Sequence, residues 1–190
     1  RNRRSQSPKY APFKSSKLRN QIVMQILINT GVRVGAVLKL KISDLIDDWD
    51  TPRFLLTRTP NDPADPRLER PSNKTKALSV SISPRLMKLI RLYILTVRAE
   101  NPTACEHDFV FISEKGTTAG QPLSYKSIHK IVDKFGESLG IQLHPHKLRH
   151  KWNEVFEDKA KEYGLTPEKI EDLRKYAMGW VQDSNMASIY

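Results

Sequence analysis

The sequence predicts an α+β fold, mainly α: a helical bundle carrying a small antiparallel sheet. Three observations lead there. Apolar residues recur at helical spacing in successive stretches from residue 84 onward. One stretch breaks that period: "KALSVSIS" (76–83) alternates Leu78, Val80 and Ile82 with serines, as a half-buried strand does. A second strand candidate, "RFLLTRT" (53–59), lies upstream, and the two are separated by the proline-rich loop 60–73.

Taken in order, residues 1–17, "RNRRSQSPKYAPFKSSK", carry basic residues, serines and prolines but no acid. They read as a linker or basic arm, or equally as an unstructured end; we set the boundary at 1–15 for the arm and 16–190 for the domain. "SKLRNQIVMQILINTG" predicts a mostly buried helix through Leu18, Ile22, Met24, Ile26 and Ile28, stopped by Gly31. "RVGAVLKLKISDLI" continues as a short helix and a turn. Ser83 caps and Pro84 opens a helix with Leu86, Leu89, Ile90, Tyr93 and Val97 on one side. "HDFVFIS" (107–113) is a short strand candidate. Ile128, Ile131, Val132, Phe135 and Leu139 mark the next helix, 124–139. A helix from residue 146 follows, then one capped by Thr166 and Pro167 that runs to Gly179, then the start of a last helix ending at Tyr190.

The totals narrow the function classes. The 190 residues carry a formal net charge of +11, which draws polyanions by long-range attraction and counterion release. A single cysteine, Cys105, excludes a disulfide framework within the chain and fits a reducing compartment. No apolar run approaches the ~20 residues of a membrane span, and no signal-like apolar stretch opens the chain. A cytoplasmic protein with no membrane partner is the expectation; nucleic acid is the first candidate for the charge, and mere solubility explains it equally well.

"HPHKLRH" (144–150) concentrates the chemistry. At about 100° per residue, Leu148, Trp152, Val155 and Phe156 form one stripe, expected to be core. His146, Arg149 and His150 fall on an adjoining face. The His146/His150 spacing admits a metal, but Lys147 stands where a zinc protease needs a glutamate, and Arg149 is unfavourable beside a cation. A solvated helix end is the plain alternative. An anion site suits the residue types best, because guanidinium offers a planar fork to phosphate oxygens and imidazole adds a donor or proton shuttle. His144 reads as a loop residue, and His107 and His129 as surface residues.

These residues resemble the H-x-L-R-H box of the tyrosine recombinases, or phage-type integrases. Three further segments resemble that family's boxes in the family's order. "NTGVRVGAVLKLKISDL" (29–45) resembles the T-G-[LV]-R segment, "NKTKALSVSI" (73–82) the lysine hairpin, and "MGWVQDSNMASIY" (178–190) the segment leading to the nucleophile. The resemblance covers about residues 16–190 and implies a tyrosine recombinase catalytic-domain-like fold, with a DNA-binding domain preceding it. It implies catalytic roles for Arg33, Lys74, His146, Arg149, Trp180 and Tyr190. Arg33 and Arg149 would clamp the phosphate, with His146 and Trp180 adding hydrogen bonds. Tyr190 would be the nucleophile, His146 its base and Lys74 the acid; Lys74 is preferred to Lys76 because it directly precedes Thr75. Tyr176 is the rival nucleophile. Lys76, Lys126, Lys130, Lys147 and His150 are the expected DNA contacts, His150 also supporting the site.

The implied activity is DNA integration and recombination through a 3′-phosphotyrosine, as in mobile elements, with no metal and no cofactor. The implied partners are double-stranded DNA and further copies of the chain, a tetramer on DNA and a monomer in isolation. Ala36 stands where the family usually has an acid, and Lys151 and Trp152 where threonine and a small or apolar residue are common. A catalytically inactive DNA-binding relative and a relaxing topoisomerase of type IB are the competing expectations.

Overall fold

The computed structural model describes residues 15–58, 62–71 and 76–179. Six helices surround one core, with a three-stranded sheet at its edge. Helix α1, Ser15–Thr30, is the central strut. Its apolar residues are spread around the axis because it packs against α2, Val34–Lys39, and against α3, α4 and α5, whose limits follow. Leu18, Ile22, Met24 and Ile26 are buried as expected; Ile28, near the end, is exposed. Gly31, in the left-handed region at φ 61°, ends the helix.

The sheet is antiparallel, in the order β1 (Leu45–Ile46), β2 (Arg53–Leu56), β3 (Leu78–Ser81). Leu45 faces Phe54 and Phe54 faces Val80 across the ladder. The strands are shorter than 53–59 and 76–83, and β1 was not foreseen: two residues give no readable period. In the described part of the long loop, Asp65 is only 1% exposed. Arg67 grips its carboxylate at 2.8 and 2.7 Å, donates to the Leu38 and Leu123 carbonyls, and lies 4.7 Å over the Phe109 ring. Lys41 and Asp62 pair beside it at 2.6 Å. A segment without secondary structure is thereby tied to the core.

Helix α3, Pro84–Tyr93, begins as expected, with Ser83 Oγ accepting from the Leu86 amide at 3.2 Å, and continues into a π-helical turn, Ile94–Arg98. Residues 107–113 form no strand. Phe109, Val110, Phe111 and Ile112 are all buried, and single bridges from Phe109 to Lys41 and from Ile112 to Pro122 replace a ladder. Burial on both faces produced the apolar run without any sheet to hold it. His107 is half-buried, not a surface residue: Nε2 meets the Gly120 carbonyl at 2.8 Å, Nδ1 accepts from the Phe109 amide, and burial pulls its pKa down.

Helix α4, Tyr125–Ser138, buries Ile128, Ile131 and Val132, but Phe135 is exposed and Leu139 is 56% exposed. Phe135 instead borders a cavity of about 700 Å³ between α4 and α1. Helix α5, Pro145–Glu162, and helix α6, Pro167–Met178, close the bundle, joined by an ion pair between Glu157 and Arg174. Here the expected core stripe is corrected. Leu148, Trp152 and Phe156 are half-buried and Val155 is 40% exposed, while Arg149, Asn153 and Ala160 are buried. Of the polar face Arg149 turned inward, where it finds backbone carbonyls, while His146 stays exposed and His150 half-buried. The arm, boundary and last-helix expectations fall on or beside residues outside those described.

Candidate active site

Arg149 is the hub. It is 5% exposed, on the first turns of α5, and Nη1 donates to the Gly31 carbonyl at 2.5 Å. Nη2 donates to the Met178 carbonyl, at the end of α6, at 3.3 Å. One guanidinium thus ties three segments that lie far apart in sequence. Gly31 stands two residues before Arg33, so the same turn presents the second arginine. Arg33 is half-buried and occupies the N-cap position of α2, in extended backbone (φ −70°, ψ 149°), with its carbonyl accepting from Ala36 and Val37.

The turn is clamped from below by Trp152, one helical turn beyond Arg149. Its indole N–H donates to the Asn29 carbonyl at 2.9 Å. Its ring lies so close under Gly31 that a Cβ there would stand 2.7 Å from it. Phe156 stacks on the ring, with centroids 5.2 Å apart and planes 13° from parallel.

The histidines complete the cluster. His144, expected in a loop, is the N-cap of α5, its Nδ1 accepting from the Lys147 amide at 3.3 Å. His146 and His150 meet edge to face, centroids 4.2 Å apart. The His146 pKa is lowered, first by partial desolvation, then by the neighbouring His150, His144, Arg149 and Arg33. Arg33, Arg149 and three imidazoles therefore share one electrostatic neighbourhood. Such a cluster attracts an anion and favours the neutral form of His146.

Across from it, the Lys76 amide donates to the Gly179 carbonyl at 3.1 Å, setting the approach to β3 beside the end of α6. Lys76, Asp172, Lys175 and Tyr176 line a cavity of about 430 Å³ there. Lys74, Trp180 and Tyr190 lie outside the described residues. Lys76 and Gly179, near Lys74 and Trp180 in sequence, are brought together by this bond. Lys126 and Lys130 are exposed on α4, Lys130 bordering a basic cavity with Arg19 and Lys134. Lys147 is exposed on α5 beside His146, its Nζ donating to the Gln142 carbonyl. Ala36 is buried and brings no carboxylate toward Arg33. Among the described residues no group of three or more His, Cys, Asp or Glu could hold a metal. The contact between Gly31 and Trp152 was not foreseen; a glycine two places before a candidate arginine was the available signal.

A match to the phage integrase family runs over residues 5–159. The chain belongs to that family. Among curated relatives of this integrase, transposase A from transposon Tn554 of Staphylococcus aureus is 31% identical over 132 residues, 70% of this chain and 34% of that protein. The tyrosine recombinase XerA of Pyrococcus horikoshii is 26% identical over 138 residues, 73% of this chain and 41% of that one. The chain thus spans well under half the length of either relative. Solved structures share the fold. A XerH site-specific recombinase bound to its difH substrate, in a pre-cleavage complex, superposes with a TM-score of 0.67 at 20% identity, over 93% of this chain and 43% of that one. XerA recombinase gives 0.59 at 22% identity, over 92% and 53%. The integrase fold is therefore mainly helical with a small antiparallel sheet, as expected. No helix among its described residues is long and apolar enough to cross a membrane.

Proposed function

We propose that this chain is the catalytic unit of a tyrosine-type site-specific recombinase, which cleaves and rejoins double-stranded DNA through a covalent 3′-phosphotyrosine. The observation that carries the reading is the bond from Arg149 to the carbonyl of Gly31, with His146 in the field of both Arg149 and Arg33. Two guanidinium groups, Arg33 just after the turn and Arg149 bonded to it from α5, suit the non-bridging oxygens of a phosphodiester, where charge develops in the transition state. Tyr190 Oη attacks the phosphorus, and the bond to the 5′ oxygen of the departing strand breaks. His146 takes the phenolic proton, helped by its lowered pKa, and Lys74 delivers a proton to the departing oxygen. An incoming 5′-hydroxyl reverses the step. The phosphotyrosine conserves the bond energy, so neither metal nor nucleotide is needed. Trp180 adds a hydrogen bond through its indole N–H.

Lys76, Lys126, Lys130, Lys147 and His150 contact DNA, largely at phosphates, which position the duplex without reading it. A preceding DNA-binding domain reads the target, and four copies assemble on DNA in the cytoplasm of a bacterial, archaeal or phage-carrying cell, in the service of a mobile element. The likeness to recombinases and a transposon protein supports this setting. Buried Ala36 favours the second reading, a DNA-binding relative without cleavage. A nicked suicide substrate separates them. The enzyme traps a covalent adduct that Tyr190→Phe abolishes; bound DNA with no adduct refutes the proposal.

A further inference from the structure

We infer that Trp152 is a positioning residue that fixes the spacing of the two arginines by holding the Asn29–Gly31 turn against α5; the inference rests on the recombinase reading above. The geometry carries it. Helix α5 reaches that turn twice: Arg149 donates to the Gly31 carbonyl and Trp152 donates to the Asn29 carbonyl at 2.9 Å. Between these two bonds the indole face fills the space under Gly31, leaving no room for a side chain there. The ring cannot slide away, because Phe156 backs it at 5.2 Å. Arg33 follows directly from the turn and caps α2. Any displacement of the turn along α5 therefore moves Arg33 relative to Arg149, and the phosphate they would share is gripped at the wrong separation. The half-buried state of Trp152, with its bond to the Asn29 carbonyl and its stack on Phe156, fits this role better than a core role.

The test separates positioning from mere stability. Trp152→Ala and Trp152→Phe are compared with wild type on a nicked duplex carrying either an ordinary scissile phosphodiester or a neutral methylphosphonate. The methylphosphonate has no charge for the arginines to neutralise. On the phosphodiester, Trp152→Ala should cleave about 100-fold more slowly, the scale of a misplaced catalytic group, with DNA affinity within about threefold of wild type. Trp152→Phe keeps the ring and should lose no more than about tenfold. On the methylphosphonate the Ala deficit should shrink below about tenfold, as should that of Arg149→Ala, measured alongside. Should Trp152→Ala fail to fold, Trp152→Leu replaces it in the same comparison. A wild-type rate in the Ala variant, or a deficit of equal size on both substrates, overturns the inference while leaving the recombinase reading intact. Absence of any wild-type adduct on the phosphodiester overturns that reading and the inference with it.

Discussion

Arg67 and Arg149 are both buried, yet they are built for opposite ends. Arg67 faces a carboxylate: Asp65 takes two of its hydrogen bonds, the Leu38 and Leu123 carbonyls take others, and the Phe109 ring covers its plane. Its charge is matched locally, and its work is to bind an irregular loop to the core. Arg149 bonds to the carbonyls of Gly31 and Met178 and shares its surroundings with Arg33 and three histidines. Burial alone does not tell a structural arginine from a functional one. Their surroundings differ: Arg67 sits against a carboxylate, whereas Arg149 lies within a group of basic side chains that the recombinase reading proposes as the place for an anion.

Four measurements would break or sharpen that contrast. Arg67→Ala should be the most damaging, because it leaves Asp65 buried without its partner; about 3–5 kcal/mol of stability should disappear in denaturant unfolding. A stable Arg67→Ala protein would erase the contrast. Arg149→Ala should fold and bind DNA, yet lose adduct formation by about 10²–10³-fold, the usual loss on removing one transition-state donor. Its thermal stability should fall too, by about 1–3 kcal/mol for the carbonyls left bare, and gel-shift titration would show whether binding survives. Ser83→Ala serves as a purely architectural control: losing the cap of α3 should lower stability by about 1 kcal/mol and leave the single-turnover rate untouched.

The smallest effect concerns acid. A pKa below the ordinary imidazole value of 6.5 means that the folded chain favours neutral His146. Its contribution is full above 6.5 and is lost as pH falls through the lower folded value. Cleavage should accordingly rise with pH to a midpoint below 6.5. Removing Arg149 should move the His146 titration, followed by NMR, upward toward the ordinary value. A midpoint above 6.5 in wild type would remove His146 as the base.

Much of this was legible in the residues, for physical reasons that differ by element. The starts of α3 and α6 were readable because Ser83 and Thr166 each cap a helix that opens with proline, a purely local device. Arg33, His146 and Arg149 were singled out by the resemblance of short boxes, and the structure brings them into one electrostatic neighbourhood. The orientation of α5 was not readable. Its apolar stripe and its polar face compete for the interior, and the outcome is set by carbonyls of Gly31 and Met178, which no local pattern reveals. The clamp of Trp152 on Asn29 spans 123 positions and was hidden for the same reason. Strand β1 was too short for any period, and the 107–113 run was misassigned because full burial looks alike in a strand and in an irregular segment.

The reach of Arg149 has a consequence during synthesis. Its two carbonyl partners lie 118 positions upstream and 29 downstream, so the anion pocket closes only after nearly all of the described chain has left the ribosome. On the proposed reading, a nascent or prematurely terminated polypeptide would carry the basic segments but lack the frame around Arg149. If the proposed function holds, such long-range closure would delay competence to the end of folding.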